Sequence, residues 1–190
     1  MGYTTDFYGS LSFNKPVEDW LVEYINRFGD TRRMKRDVEK LKTTFPDWEK
    51  HCFNGDIGPE GAFFVGGEGF MGQDVDPSIV DYNRPPAGQP GLWCQWIINV
   101  DGELTWDGGE KFYHYIEWLE YLIDKFFAPL GYILNGDIEW QGEGYEDFGT
   151  IHVVNNIVTE KCGIRIPSIE DLETSVLIDE LTSRGYKISK

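Results

Sequence analysis

The chain of 190 residues is long enough for one domain, or one domain with an appendage. Its 41% hydrophobic and 15% aromatic content supplies a core and excludes wholesale disorder. Thirty-three acidic residues against 17 basic ones give a net charge of −16, a surface that repels long nucleic acid unless its cations are gathered in one place.

Thr4 to Phe13 alternates, with Phe7, Leu11 and Phe13 on one side, and reads as a strand. Asn14 or Lys15 is the expected cap of a first helix, with Pro16 in its first turn. Trp20, Leu21, Tyr24, Ile25 and Phe28 recur at helical spacing, and Gly29 closes the helix. Asp30 is placed to cap a second helix, in which Met34, Val38, Leu41 and Phe45 share a face. From Arg32 to Lys42 there are six basic and two acidic residues, a local +4 that leaves −20 for the rest of the chain. Residues 54–91 form a Gly/Pro-rich loop, a length that is usually functional or mobile. Leu92 to Val100 and Glu103 to Trp106 flank Asp101-Gly102, a hairpin signal. Glu110 to Ala128 reads as the clearest helix, stopped by Pro129 and Gly131. Tyr132 to Gln141 and Thr150 to Thr159 read as two further strands, joined by the acidic turn 142–149. Ser168 is a candidate cap for a helix to about Ser183, with a short strand at Tyr186 to Ile188.

Hairpins separated by helices predict the α+β class, an antiparallel sheet with helices packed on one face. Residues 1–165 form the expected domain, and 166–190 an appended helix and strand. No apolar run approaches the roughly 18 residues of a membrane span, and MGYTTDFYGS lacks the basic-then-apolar layout of a signal peptide. Cys52, Cys94 and Cys162 are odd in number and widely spaced, which points to reduced thiols in a cytoplasmic protein.

The cationic run is the first candidate site. In a helix, Arg32, Arg36 and Lys40 stand one turn apart, a stripe on which arginine grips a phosphate chain bidentately, with Arg33 beside it. The competing reading pairs these cations with the protein's own carboxylates, at roughly 0–1 kcal/mol each. Trp93 and Trp96 have opposite parity in a regular strand, so one of them faces away from the core, where an indole suits stacking or a protein interface. Arg32, Arg33, Arg36, Lys40, Trp93 and Trp96 are the predicted ligand-binding set. No catalytic residue, cofactor or metal ligand is assigned.

Weaker patterns compete. Gly67 to Gly72 fits G-x-G-x-x-G, but Gln73 to Pro77 is a poor helix and carries Asp74 and Asp76, which repel phosphate. Glu110, His114, Glu117, Tyr121 and Asp124 share one face of the predicted helix, a layout for a divalent ion or acid–base pair that equally describes a solvated face. Asp137, Glu139, Glu143, Glu146 and Asp147 cluster about a turn, without the spacing of a calcium loop. His51 beside Cys52 lacks the context of a nucleophile.

The runs MGYTTDF, TRRMKRD, DYNRPP with QPGLWCQW, WDGGEKFYHYIEWLEYLI, GYILNGDIEWQGE and DFGTIHVVNN resemble a family of uncharacterised bacteriophage and bacterial proteins over roughly residues 1–160. The resemblance implies a phage or bacterial cytosolic setting and carries no activity or site residue. It favours a small protein that interferes with host defence. The function expected is therefore a non-catalytic binding protein that holds a small anionic, nucleotide-like ligand or a host protein. An acidic mimic of nucleic acid that inhibits a host enzyme ranks second. A metal-dependent hydrolase built on Glu110, His114, Glu117 and the 137–147 carboxylates ranks third.

Overall fold

The computed structural model describes residues 2–66 and 76–163, together with Ile178, Ser183 and Arg184. Six strands form one antiparallel sheet in the order β4-β5-β1-β6-β7-β8: β1 (Thr5–Phe13), β4 (Trp96–Ile98), β5 (Leu104–Trp106), β6 (Leu134–Gly142), β7 (Phe148–Val154) and β8 (Ile157–Cys162). Two short strands, β2 (Lys35–Arg36) and β3 (Ile79–Asp81), pair separately. With α1 (Asp19–Asp30), α2 (Val38–Thr44) and α3 (Tyr115–Leu122), this is the α+β class read from the sequence. The glycine motif at 67–72 and most of the expected C-terminal helix lie outside the described residues. No described helix is long and apolar enough to cross a membrane.

β1 and β6 pair along their full length, from Thr5 opposite Gly142 to Phe13 opposite Leu134. Gly9 and Gly136 let the two backbones close up: each has positive φ, and a Cβ would lie 2.8 Å from Asp137 O or 2.9 Å from Ser10 O. Alternation then sorts the side chains. Phe7, Leu11, Ile138, Trp140, Ile151 and Val153 are buried on the face that carries the helices. The Phe7 ring meets Trp96, Trp106, Phe112 and Tyr115 edge-on, at centroid distances of 4.8–5.8 Å. Tyr8, Asp137, Glu139 and Thr159 point to the other face, which is uncovered among the described residues. α1 closes the β4 edge of the sheet. Its Asn26 donates to Ile98 O (3.0 Å) and accepts from Ile98 N (2.8 Å), which satisfies the backbone that an open edge would expose.

Besides the first helix, which begins at Asp19 with Glu18 at its cap position and not at Asn14 or Lys15 with Pro16 in its first turn, three expected elements are corrected. The helix expected from Glu110 begins only at Tyr115, because Lys111 (φ 60°) and His114 (φ 58°) take left-handed conformations. It continues beyond Leu122 as a π turn, Ile123–Phe127, and a 3-10 turn, Ala128–Leu130. The strand expected from Thr150 to Thr159 is two strands, since Asn155 and Asn156 both have positive φ and make a tight turn. Asn156 anchors this turn by accepting from Leu134 N and donating to Tyr132 O.

The third correction concerns the cationic run, which is helical only from Val38. Residues 31–37 are extended, and only at Asp37, whose carboxylate caps Glu39 N and Lys40 N, does α2 begin. The segment runs alongside the long loop and bonds it repeatedly. Arg33 N donates to Leu92 O, Lys35 N to Arg84 O and Asp37 N to Ser78 O. Arg33, 2% exposed, donates to Ala62 O and Phe64 O (2.8 and 3.0 Å) and lies 4.1 Å from the Phe28 ring. Arg36 pairs with Asp76 and donates to Ser78 Oγ, and Lys35 meets Glu60 at 2.5 Å. The described parts of this loop have little regular structure to meet their buried carbonyls and carboxylate, and these cations supply donors to them.

Removing the Arg36 side chain leaves the Asp76 carboxylate buried without its cation. Arg36→Leu is expected to cost about 3–5 kcal/mol in denaturant unfolding, whereas exposed Lys40→Ala stays within about 0.5 kcal/mol. Burial raises the Asp76 carboxyl, but hydrogen bonds from Ser78 and Arg36 outweigh it and hold it below its ordinary value. Lys35, with the Ala87 N–H, lowers the Glu60 carboxyl. The stability these groups add is complete above the unfolded value of about 4 and is lost as pH falls through their lower folded values. Acid titration of the unfolding free energy should therefore decline below about pH 4, less steeply in Asp76→Asn.

Candidate functional site

The six predicted binding residues are not brought together. Arg33 and Arg36 are buried and bonded internally. Burial, eased by nearby Tyr24 and Tyr121, pushes the Arg33 guanidinium down to about 10. Lys40 is exposed on α2, 4.0 Å from Asp37. Trp96 is wholly buried in the core, and its indole N–H donates to Tyr115 O at 2.9 Å. Only Arg32 and Trp93 stay close to each other at a half-buried surface. The Arg32 guanidinium donates to Tyr82 O and lies 4.2 Å from the Tyr82 ring and 5.9 Å from the Trp93 ring.

Trp93 lines a pocket of about 490 Å3 together with Gly91, Leu92, Gln95, Glu110, Lys111, Tyr113 and His114. Two stretches make it: the end of the long loop entering β4, and the irregular turn that precedes α3. Gln95 fixes their spacing, accepting from Trp106 Nε1 (3.0 Å) and donating to Glu110 O (2.9 Å). Lys111 and His114 carry their left-handed φ at this rim. Such conformations are costly for residues with a side chain and concentrate where a site imposes them. The Tyr113 hydroxyl accepts from Tyr3 N at 3.0 Å, so the start of the chain braces the rim.

Charge sets this pocket apart. Glu110 and Lys111 face each other across 3.6 Å and cancel, and the Arg32 guanidinium lies 5.9 Å from the Trp93 ring. In a chain of −16, a lining whose one Lys–Glu pair cancels repels an anion less than the average surface does. The larger cleft, about 680 Å3 between the end of β1, the start of α1 and the β4–β5 turn, is lined by Asp19, Asp101 and Glu103 against Lys15 alone. A volume near 490 Å3, with aromatic walls and a few polar groups, lies in the range of small-molecule sites.

The carboxylate patterns separate. Glu110 and His114 both line the pocket but precede α3, and Tyr121, expected beside them, is buried with its hydroxyl bonded to Gln89. His114 Nδ1 lies 3.8 Å from Glu117 Oε1. In the acidic turn, Glu143 accepts from Thr4 N and Asp147 from the Tyr3 hydroxyl, so these groups tether the N-terminal residues. Asp137 pairs with His152 at 2.7 Å on the uncovered sheet face. Among the described residues no three His, Cys, Asp or Glu side chains converge as a metal site. Cys52, Cys94 and Cys162 are unpaired, and burial pushes the Cys52 and Cys94 thiols up to about 12. His51 is lowered by burial and by Arg27, whose guanidinium lies 3.2 Å from its ring.

Sequence reasoning missed Gly91, Gln95, Lys111 and Tyr113 as pocket residues. Their nearest signal was the aromatic clustering at 92–96 and 112–115. No family model, curated protein or solved structure matches the chain.

Proposed function

We propose that this is a non-catalytic binding protein that holds a small planar ligand with an anionic group, of nucleotide-like chemistry, in the pocket between residues 91–95 and 110–114. The observation that carries the reading is the lining itself: an indole wall at Trp93 with Lys111, His114 and Gln95 around it. An aromatic wall takes a ring by stacking, worth about 1–3 kcal/mol per base, and the Arg32 guanidinium beside Trp93 takes the anion. The one hydroxyl in the lining, on Tyr113, is already engaged by Tyr3 N, which suits holding a ligand better than attacking it. In the bacteriophage setting that the sequence resemblance implies, such a protein would act by withholding a nucleotide signal from host defence.

A second reading rests on a different surface. The uncovered sheet face presents cross-strand rows of Tyr8, Glu139, Thr150 and Lys161, and of Ser10, Asp137, His152 and Thr159. Tyr8 is 59% exposed. With Asp6 and Glu103 beside these rows, the face is acidic and complements a basic host protein, the mimic alternative.

Calorimetric titration with a nucleotide panel tests the first reading. Saturable binding is expected, weakened at least tenfold (about 1.4 kcal/mol) by Trp93→Ala and unchanged by Lys40→Ala. No saturable heat, or equal binding by Trp93→Ala, would falsify it. The second reading predicts binding of an arginine-rich peptide that fades as salt rises from about 50 to about 300 mM and is absent from Asp137→Asn/Glu139→Gln. Binding by that variant at wild-type strength contradicts it.

A further inference from the structure

The cleft of about 680 Å3 shares no residue with the pocket at Trp93. One wall is the chain that leaves β1 and enters α1, with Phe13, Val17, Asp19 and Val22. The other is the β4–β5 turn, with Val100, Asp101 and Glu103. Hydrogen bonds within the chain set both walls. Asn14 N donates to Ile133 O and Asn14 Oδ1 accepts from Ile133 N, both at 2.9 Å. In the turn, Asn99 Oδ1 accepts from Asp101 N and Glu103 N, both at 3.0 Å. The cleft is thus formed before any partner arrives, and filling it orders little that is not already ordered.

Its lining has two characters. Phe13, Val17 and Val22 are half-buried against the core, and Val100 on the opposite wall is fully exposed. Together they make an apolar stretch open to solvent. Asp19, Asp101 and Glu103 stand among them, and among the described residues none of the three forms an ion pair. The one cation of the lining, Lys15, is engaged elsewhere. Its ammonium donates to Leu130 O at 2.9 Å and lies 4.3 Å from the centre of the Tyr132 ring. The carboxylates therefore border an apolar cleft without a cation of their own.

That combination fits one kind of side chain. Arginine carries methylenes that lie along apolar surface and a guanidinium fork that matches carboxylates. A bare metal ion would leave the valines without a partner, and an anion meets the wrong charge. Glu103 also ties the cleft to the acidic sheet face. Its carboxylate accepts from Ser10 Oγ at 2.6 Å, and Ser10 belongs to the cross-strand row that continues through Asp137 and His152. The two acidic surfaces therefore adjoin.

We infer that this cleft docks an arginine side chain of a basic partner protein, its stem against Val17, Val22 and Val100 and its guanidinium at Asp19 and Asp101. The inference rests on the second reading above and deepens it. The sheet face supplies the long-range attraction, and the cleft supplies an anchor that fixes how the partner sits.

The test is a titration with nona-arginine, followed by valine methyl resonances in a 1H–13C spectrum and by calorimetry. The methyls of Val17, Val22 and Val100 are expected to move and saturate together. Asp19→Asn/Asp101→Asn is expected to weaken binding at least about tenfold, and Val100→Ser roughly threefold. Asp19, Val100 and Asp101 are exposed, and Asn-Gly serves a hairpin turn as Asp-Gly does, so both variants keep the unfolding midpoint close to that of wild type. Methyls that stay still while nona-arginine binds, or wild-type affinity in Asp19→Asn/Asp101→Asn, overturn the inference and leave the second reading standing. Loss of binding in that variant, with wild-type binding in Asp137→Asn/Glu139→Gln, supports the cleft and contradicts the face. If nona-arginine does not bind, the inference and the second reading fall together. If Mg2+ moves the same methyls and displaces the peptide, the site takes small cations and the inference is overturned. If the methyls move when the protein alone is concentrated, the occupant is a second copy of the chain, and the inference is likewise overturned.

Discussion

The fold depends on cations spent inside the molecule. A protein with a net charge of −16 places Arg33 and Arg36 in its interior, against backbone carbonyls and one carboxylate. Burying a guanidinium is expensive unless its protons are met. Arg33 meets the cost with two carbonyls and the face of Phe28, and its lowered proton affinity records what remains. What the molecule obtains is order in the described parts of the long connection, residues 53–66 and 76–95, which have little regular structure to hold their own backbone groups. Residues 31–37 act as a spine beside that connection, with backbone bonds at Leu92, Arg84 and Ser78 and side-chain bonds between them.

The spine also positions the pocket. Arg33 N fixes Leu92, Arg32 lies against Trp93, and Gln89 links Ala62 O to the Tyr121 hydroxyl beneath α3. One wall of the candidate site is thus set by the same segment that orders the loop. The other wall is set by the two left-handed residues before α3 and by Gln95, which ties it to β4. A small change in the spine therefore reaches the pocket through Leu92 and Trp93 without any contact to a ligand.

How much of this was legible in the sequence follows from the physics of each element. The β1 strand and the Asp101-Gly102 hairpin were readable because period-two alternation and turn chemistry are local. The Asn155-Asn156 turn carried a local signal too, two residues tolerant of positive φ, and it was overlooked inside an apolar run. The start of α3 had no such signal, because Lys111 and His114 adopt left-handed conformations for tertiary reasons. The cationic run was misread because Met34, Val38 and Leu41 fall at helical spacing while the pairing with residues 78–92 is long-range. For the site, the sequence pointed to Trp93 and Arg32 and grouped Glu110 with His114. Gly91, Gln95 and Tyr113 emerge as lining residues only from three-dimensional packing.

Native-state amide hydrogen exchange measures the central claim most directly, because it reads the stability of the loop separately from that of the sheet. The account predicts that amides bonded to the spine or within the segments it holds, such as those of Phe63, Phe64 and Gln89, exchange in wild type only through openings about as rare as those that expose β6 and β7. In Arg33→Met they are expected to lose protection by a larger factor than the β6 and β7 amides. Loop amides that exchange freely in wild type, or that keep their protection in Arg33→Met, would contradict the claim that internal cations order this loop.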